Sequence, residues 1–78
     1  MAREPRTTDI LAEMVANVMT VQVNPGDSIE AGDTVVLLES MKMEIPVLAE
    51  HGGTVTAVRV SAGDVVQEGT ILVTLDLS

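Results

Sequence analysis

A chain of 78 residues with 12 acidic and 4 basic side chains, formal charge −8, is one small domain whose surface repels nucleic-acid phosphates and anionic lipid headgroups. It has no Cys, Phe, Tyr or Trp, which excludes disulfides, thiolate metal sites and aromatic platforms for stacking on bases or sugars. A domain of this size buries only about 60% of the surface its unfolded chain exposes. Its core is therefore expected to be thin and built from Val, Ile, Leu, Ala and Met.

Residues 1–8 are polar, contain Pro5 and are expected to be a mobile tail, which leaves residues 9–78 as the domain. Arg3 and Arg6 imitate the start of a secretory leader, but Asp9 and Glu13 break the apolar stretch that should follow. No targeting peptide is read, and a cytoplasmic protein is expected. Thr8 to Met14 is the one stretch that competes as a helix, and it is short. The longest aliphatic run, Val35-Val36-Leu37-Leu38, has four residues, against about 20 for a membrane-crossing helix. Val, Ile and Thr fill 25 of 78 positions (13, 4 and 8), which favours strands. Asn24-Pro25-Gly26-Asp27, Ala31-Gly32-Asp33, His51-Gly52-Gly53, Ser61-Ala62-Gly63-Asp64 and Glu68-Gly69 punctuate those strands as turns. The prediction is an all-β barrel or sandwich of many short strands.

An internal repeat organises them. Val21-Gln22-Val23-Asn24-Pro25-Gly26-Asp27 matches Val58-Arg59-Val60-Ser61-Ala62-Gly63-Asp64 at an offset of 37 residues. At the same offset Val18 meets Val55, Ile29 meets Val66, Gly32 meets Gly69, Val36 meets Val73 and Leu38 meets Leu75. Neither half can bury an apolar face alone, so the two are expected to interlock about a pseudo-twofold axis. Asp27, Asp33 and Asp64 are expected to satisfy turn amides, with the glycines supplying positive φ.

Lys42 is the only lysine. Thr34 to Glu39 reads as one strand and Ile45 to Ala49 as the next, so Ser40 to Glu44 must reverse the chain with Lys42 near the tip. Pro46 cannot donate to a ladder, which puts its strand at an edge or points its nitrogen outward. Moving 37 residues from Lys42 in either direction reaches the chain ends, so the lysine turn should project from one end of the barrel and the termini from the other. Met41 and Met43 flank the lysine where a turn is ordinarily polar. A solitary lysine between methionines reads as one to be found and modified by another protein.

Glu39-Ser40-Met41-Lys42-Met43-Glu44, set between the two Gly-Asp repeats, resembles the biotin attachment motif of biotin carboxyl carrier proteins, and the likeness extends over about residues 10 to 77. The resemblance implies a flattened β-barrel/sandwich (barrel-sandwich hybrid) of two four-stranded halves with the attachment lysine on a hairpin. It implies that a biotin protein ligase joins biotin to Lys42, with Met41 and Met43 as flanking recognition residues. Glu39 and Glu44 are candidates for docking that ligase. A biotin carboxylase would then carboxylate the biotin, and a carboxyltransferase would receive the carboxyl for an acyl-CoA. That is the acetyl-CoA carboxylase scheme, which serves fatty acid biosynthesis. The chain itself would be a non-catalytic carrier, monomeric when isolated, with no metal. Its Met1 start and its end soon after the last strand are expected of a free-standing subunit. Two departures stand out: Ala16 occupies a place where the family usually has Gly, and the short link from Val23 to Asp33 leaves no room for a protruding thumb.

Two alternatives remain. Lipoyl carriers of 2-oxo acid dehydrogenase complexes share the fold, but usually carry Asp before the lysine and Ala after it. An unmodified β-barrel scaffold would have no use for a lone lysine between methionines. No nucleophile–base pair or ligand cluster supports an enzyme, and His51 stands alone in its turn.

Overall fold

The computed structural model describes residues 6–77. Eight strands follow one another: β1 (Thr7–Leu11), β2 (Ala16–Val21), β3 (Ser28–Ile29), β4 (Thr34–Ser40), β5 (Met43–Leu48), β6 (Gly53–Val58), β7 (Val65–Val66) and β8 (Ile71–Asp76). They form two antiparallel four-stranded sheets, ordered β1-β8-β6-β3 and β5-β4-β2-β7. This is the flattened barrel-sandwich that the resemblance implies, built from the two halves of the repeat.

Of the expected tail, residues 1–5 lie outside the described residues, while Thr7 and Thr8 already belong to β1. They pair with Asp76 and Leu75, and the Leu77 amide donates to the Arg6 carbonyl at 2.7 Å. The helical competitor from Thr8 to Met14 is strand β1 and the bend after it. Alternating exposure along Thr7–Leu11 shows why: period two turns Thr8 and Ile10 inward.

The pseudo-twofold is accurate to the hydrogen bond. Shifting the β4–β5 pairs Leu37↔Pro46 and Leu38↔Ile45 by 37 residues gives the β8–β1 pairs Asp9↔Thr74 and Thr8↔Leu75. The β2–β4 and β6–β8 ladders match in the same way, including their irregularities at Val18/Thr20 and Val55/Ala57. Each half lends one two-residue strand to the other's sheet: β3 pairs with β6, and β7 with β2. That exchange is the interlock: each sheet is completed by a strand from the other half. The second half is also completed from the front of the chain, because β1 is the counterpart of β5.

The turns repeat too. The Asp27 carboxylate accepts from the Asn24 amide and the Asp64 carboxylate from the Ser61 amide, both at 2.8 Å. The Asp33 carboxylate accepts from the Glu30 amide at 2.8 Å, and in the second half the Thr70 hydroxyl takes this place, accepting from the Gln67 amide at 3.0 Å. Gly26 and Gly63, at φ 97° and 96°, let their amides swing across to the Val55 and Val18 carbonyls. Each half is thus pinned to the other through its turn.

The buried core consists of Val, Leu, Ile and Ala, with Val35, Val36, Leu72, Val73 and Leu75 wholly inside. Methionine is expected there, but none of the described methionines is in it. Met14, Met41 and Met43 are exposed and Met19 is half-buried. Two thin sheets with β-branched inward rows leave no irregular gap for a flexible side chain to fill.

Candidate functional site

Strand β4 is central in its sheet, with β5 on one side and β2 on the other. Its inward residues Val36 and Leu38 are 0% and 1% exposed, which fixes its register against the core. The β4–β5 ladder runs on to the pair Ser40↔Met43, so only Met41 and Lys42 lie in the turn. The reversal expected over Ser40 to Glu44 is tighter than that: Ser40 ends β4, and Met43 and Glu44 belong to β5.

A two-residue hairpin matches strand twist when both central residues have positive φ, which is why Asn-Gly dominates such turns. Here Met41 and Lys42 take φ of 53° and 65°. For residues with a Cβ this left-handed conformation costs roughly 1–2 kcal/mol each. The ladder beneath imposes it, and the lysine backbone is held at a fixed point.

Met41 is 90% exposed and Met43 64%. Lys42 is exposed and, among the described residues, makes no hydrogen bond or ion pair. Its amine is open to approach. Beneath the turn Glu39 and Glu44 are cross-strand partners, both exposed. Like charges placed directly opposite are destabilising. Pro46 lies on β5, an edge strand, as its missing amide requires, and pairs with Leu37 of β4.

The strand directions separate the two ends of the domain. Leu11 pairs with Ile71 at the start of β8, and the short bend after Leu11 leads to Ala16, beside the lysine turn. From Ile71, β8 runs away to Asp76, where the Arg6–Leu77 bond closes the far end. The lysine turn and the Arg6–Leu77 pair therefore occupy opposite ends of the described domain, as the repeat implies.

Between edge strands β1 and β5 lies an open groove of about 1060 Å³, with Leu38 and Leu75 at its floor and Ile10 and Val47 on its walls. His51 lines its rim with Glu13, Glu50 and Glu68. Asp27, Asp33 and Asp64 are engaged in turns and lie apart from the lysine.

Sequence reasoning missed the tightness of the turn, because Met-Lys carries no Asn or Gly signal. It also missed the exposed Val15 and Val65 near the lysine. The position-by-position comparison of the two halves would have found Val65, which faces Ser28 at the offset of 37.

A family model described as "Biotin-requiring enzyme" matches residues 5–75. "Biotinylated protein TB7.3" of Mycobacterium bovis is 70% identical over 40 residues, covering 51% of this chain and 56% of that protein. The chain thus spans about half the length of the curated relatives it matches. Among solved structures, a single-chain, multi-domain long-chain acyl-CoA carboxylase superimposes with a TM-score of 0.88 at 27% identity, over 100% of this chain and 8% of the other. The lipoyl domain of the 2-oxoglutarate dehydrogenase complex from Azotobacter vinelandii gives 0.67 at 30% identity, over 78% and 77%.

Proposed function

The chain belongs to the biotin-requiring enzyme family of biotin and lipoyl attachment domains, and from that premise we propose that it is a biotin carrier with Lys42 as its attachment point. The observation that carries this reading is the turn itself: the one lysine, at the tip of a strained two-residue reversal, with 90% and 64% exposed methionines on either side. Identity of 70% to a mycobacterial protein named as biotinylated supports biotin over lipoate.

The residues present suit an amide-linked group. Joining a carboxylate to the Lys42 amine needs open approach to the side chain, and Lys42 is exposed. Amide formation removes the lysine's charge, taking the formal charge from −8 to −9. When bound, biotin supplies a ring that holds a carboxyl group for transfer. The protein's part is positional: β4 anchors the turn, the turn fixes the Lys42 backbone, and Met41 and Met43 offer an apolar grip on either side.

The implied partners are a biotin protein ligase, a biotin carboxylase and a carboxyltransferase acting on an acyl-CoA, with this chain non-catalytic and cytoplasmic. The fold match to a long-chain acyl-CoA carboxylase supports that setting. An avidin gel-shift after incubation with ligase, ATP and biotin tests the attachment: wild type should shift completely and Lys42→Arg not at all. A shift that survives Lys42→Arg would overturn the assignment.

A further inference from the structure

The two ends of this domain share one backbone plan, so side chains that differ between them report what each end is for. Asn17 pairs with both Glu39 and Val65, just as Thr54 pairs with Asp76 and Ser28. At the offset of 37, Val65 corresponds to Ser28, Val15 to Gly52 and Met43 to Arg6. At these positions the far end therefore carries small or polar residues. The lysine end carries Val15 and Val65 at 65% and 69% exposure, besides Met41 and Met43. Among the described residues these are four of the eight large apolar side chains left exposed. The fold does not demand them, since the same plan is completed without them at the opposite end.

Their placement is continuous with the turn. Glu44, Glu39, Asn17 and Val65 form one row across the outer face of the β5-β4-β2-β7 sheet, all exposed. Val15, also exposed, lies in the bend one residue before Ala16, where β2 begins. Two carboxylates thus stand beneath the lysine turn at one end of the row, with Asn17 and then Val65 following on the β2 side.

We infer that Val15 and Val65 extend the lysine turn into a docking face for the enzyme that acylates Lys42, and that the complementary surface is an apolar patch bordered by Arg or Lys. The charge of Glu39 and Glu44 selects the basic border, and the exposed valines select the apolar patch. The acylating enzyme is favoured over one that works on the attached group because it must bring its active site to Nζ itself. Its surface then has to meet this end of the domain, whereas a later enzyme is held off by the full length of the arm. This inference rests on the biotin carrier reading above.

The test is steady-state biotinylation of the full chain by a bacterial biotin protein ligase, with carrier concentration varied. Val15→Thr/Val65→Thr keeps shape and β-branching, and should raise KM about tenfold, equivalent to about 1.4 kcal/mol, with kcat unchanged. Ser28→Ala/His51→Ala, at the far end, should change neither. Against a basic surface Val65→Lys should raise KM more than Val65→Glu, a difference that a purely structural role would not produce. An unchanged KM in the threonine variant, an equal rise in the far-end variant, or equal effects of Lys and Glu at position 65 would overturn the inference. So would an unaffected ligase KM combined with weakened turnover by a biotin carboxylase, which would assign the face to that enzyme. A wild-type chain that takes up no biotin at all would instead refute the carrier reading on which the inference stands.

Discussion

Six described residues of this domain have positive φ, and the comparison between them is instructive. Gly26, Gly32, Gly63 and Gly69 occupy the ordinary turns at φ between 91° and 97°, where the absent Cβ removes the strain. At the lysine turn the same backbone region is filled by Met41 and Lys42, at 53° and 65°. The chain uses glycine wherever only geometry is at stake. It accepts strain at the one turn where the side chains are what matters. Strain concentrated at an exposed turn, paid for by a buried central strand, is the pattern expected of a presented site.

Five changes sharpen or break this contrast. Met41→Asn combined with Lys42→Gly supplies the residues such a turn prefers, and should stabilise the domain by about 2 kcal/mol while removing the modifiable amine. Urea unfolding measures the gain, and a destabilised double variant would mean the turn is not strained. Gly63→Ala should cost roughly 1–2 kcal/mol. Because a Cβ there meets nothing within 4 Å, the whole cost is backbone conformation. Gly26→Ala, its symmetry mate, should cost the same within a few tenths, and unequal losses would break the twofold description. Asp64→Ala removes the acceptor for the Ser61 amide and should cost about 1 kcal/mol, read as a lower urea midpoint. Glu39→Gln relieves the carboxylate pair with Glu44 and should stabilise by about 0.5 kcal/mol at low salt, the gain fading as salt is raised. A gain insensitive to salt would assign it to something other than charge.

Much of this was legible in the sequence, and what was hidden has physical causes. The offset of 37 residues exposes the two halves because inward rows and turn chemistry must both recur for the halves to interlock. β1 escaped notice since its half is split between the two ends of the chain. Ile10, Leu11 and Ala12 match Val47, Leu48 and Ala49 only when the first strand is compared with the fifth. The core was expected to use methionine, which composition cannot place inside or outside. Lys42 stood out by its rarity, whereas the geometry of its turn did not, because a hairpin that tolerates strain hides the usual Asn-Gly signature. The groove between β1 and β5 depends on how two sheet edges face each other, and no local pattern encodes that.

The most direct measurement of the central claim is the intact mass of this chain after co-expression with a biotin protein ligase, followed by peptide mapping. The account predicts the mass of one added biotin, carried by the peptide containing Lys42. An unmodified mass, or a lipoyl group in its place, would contradict it.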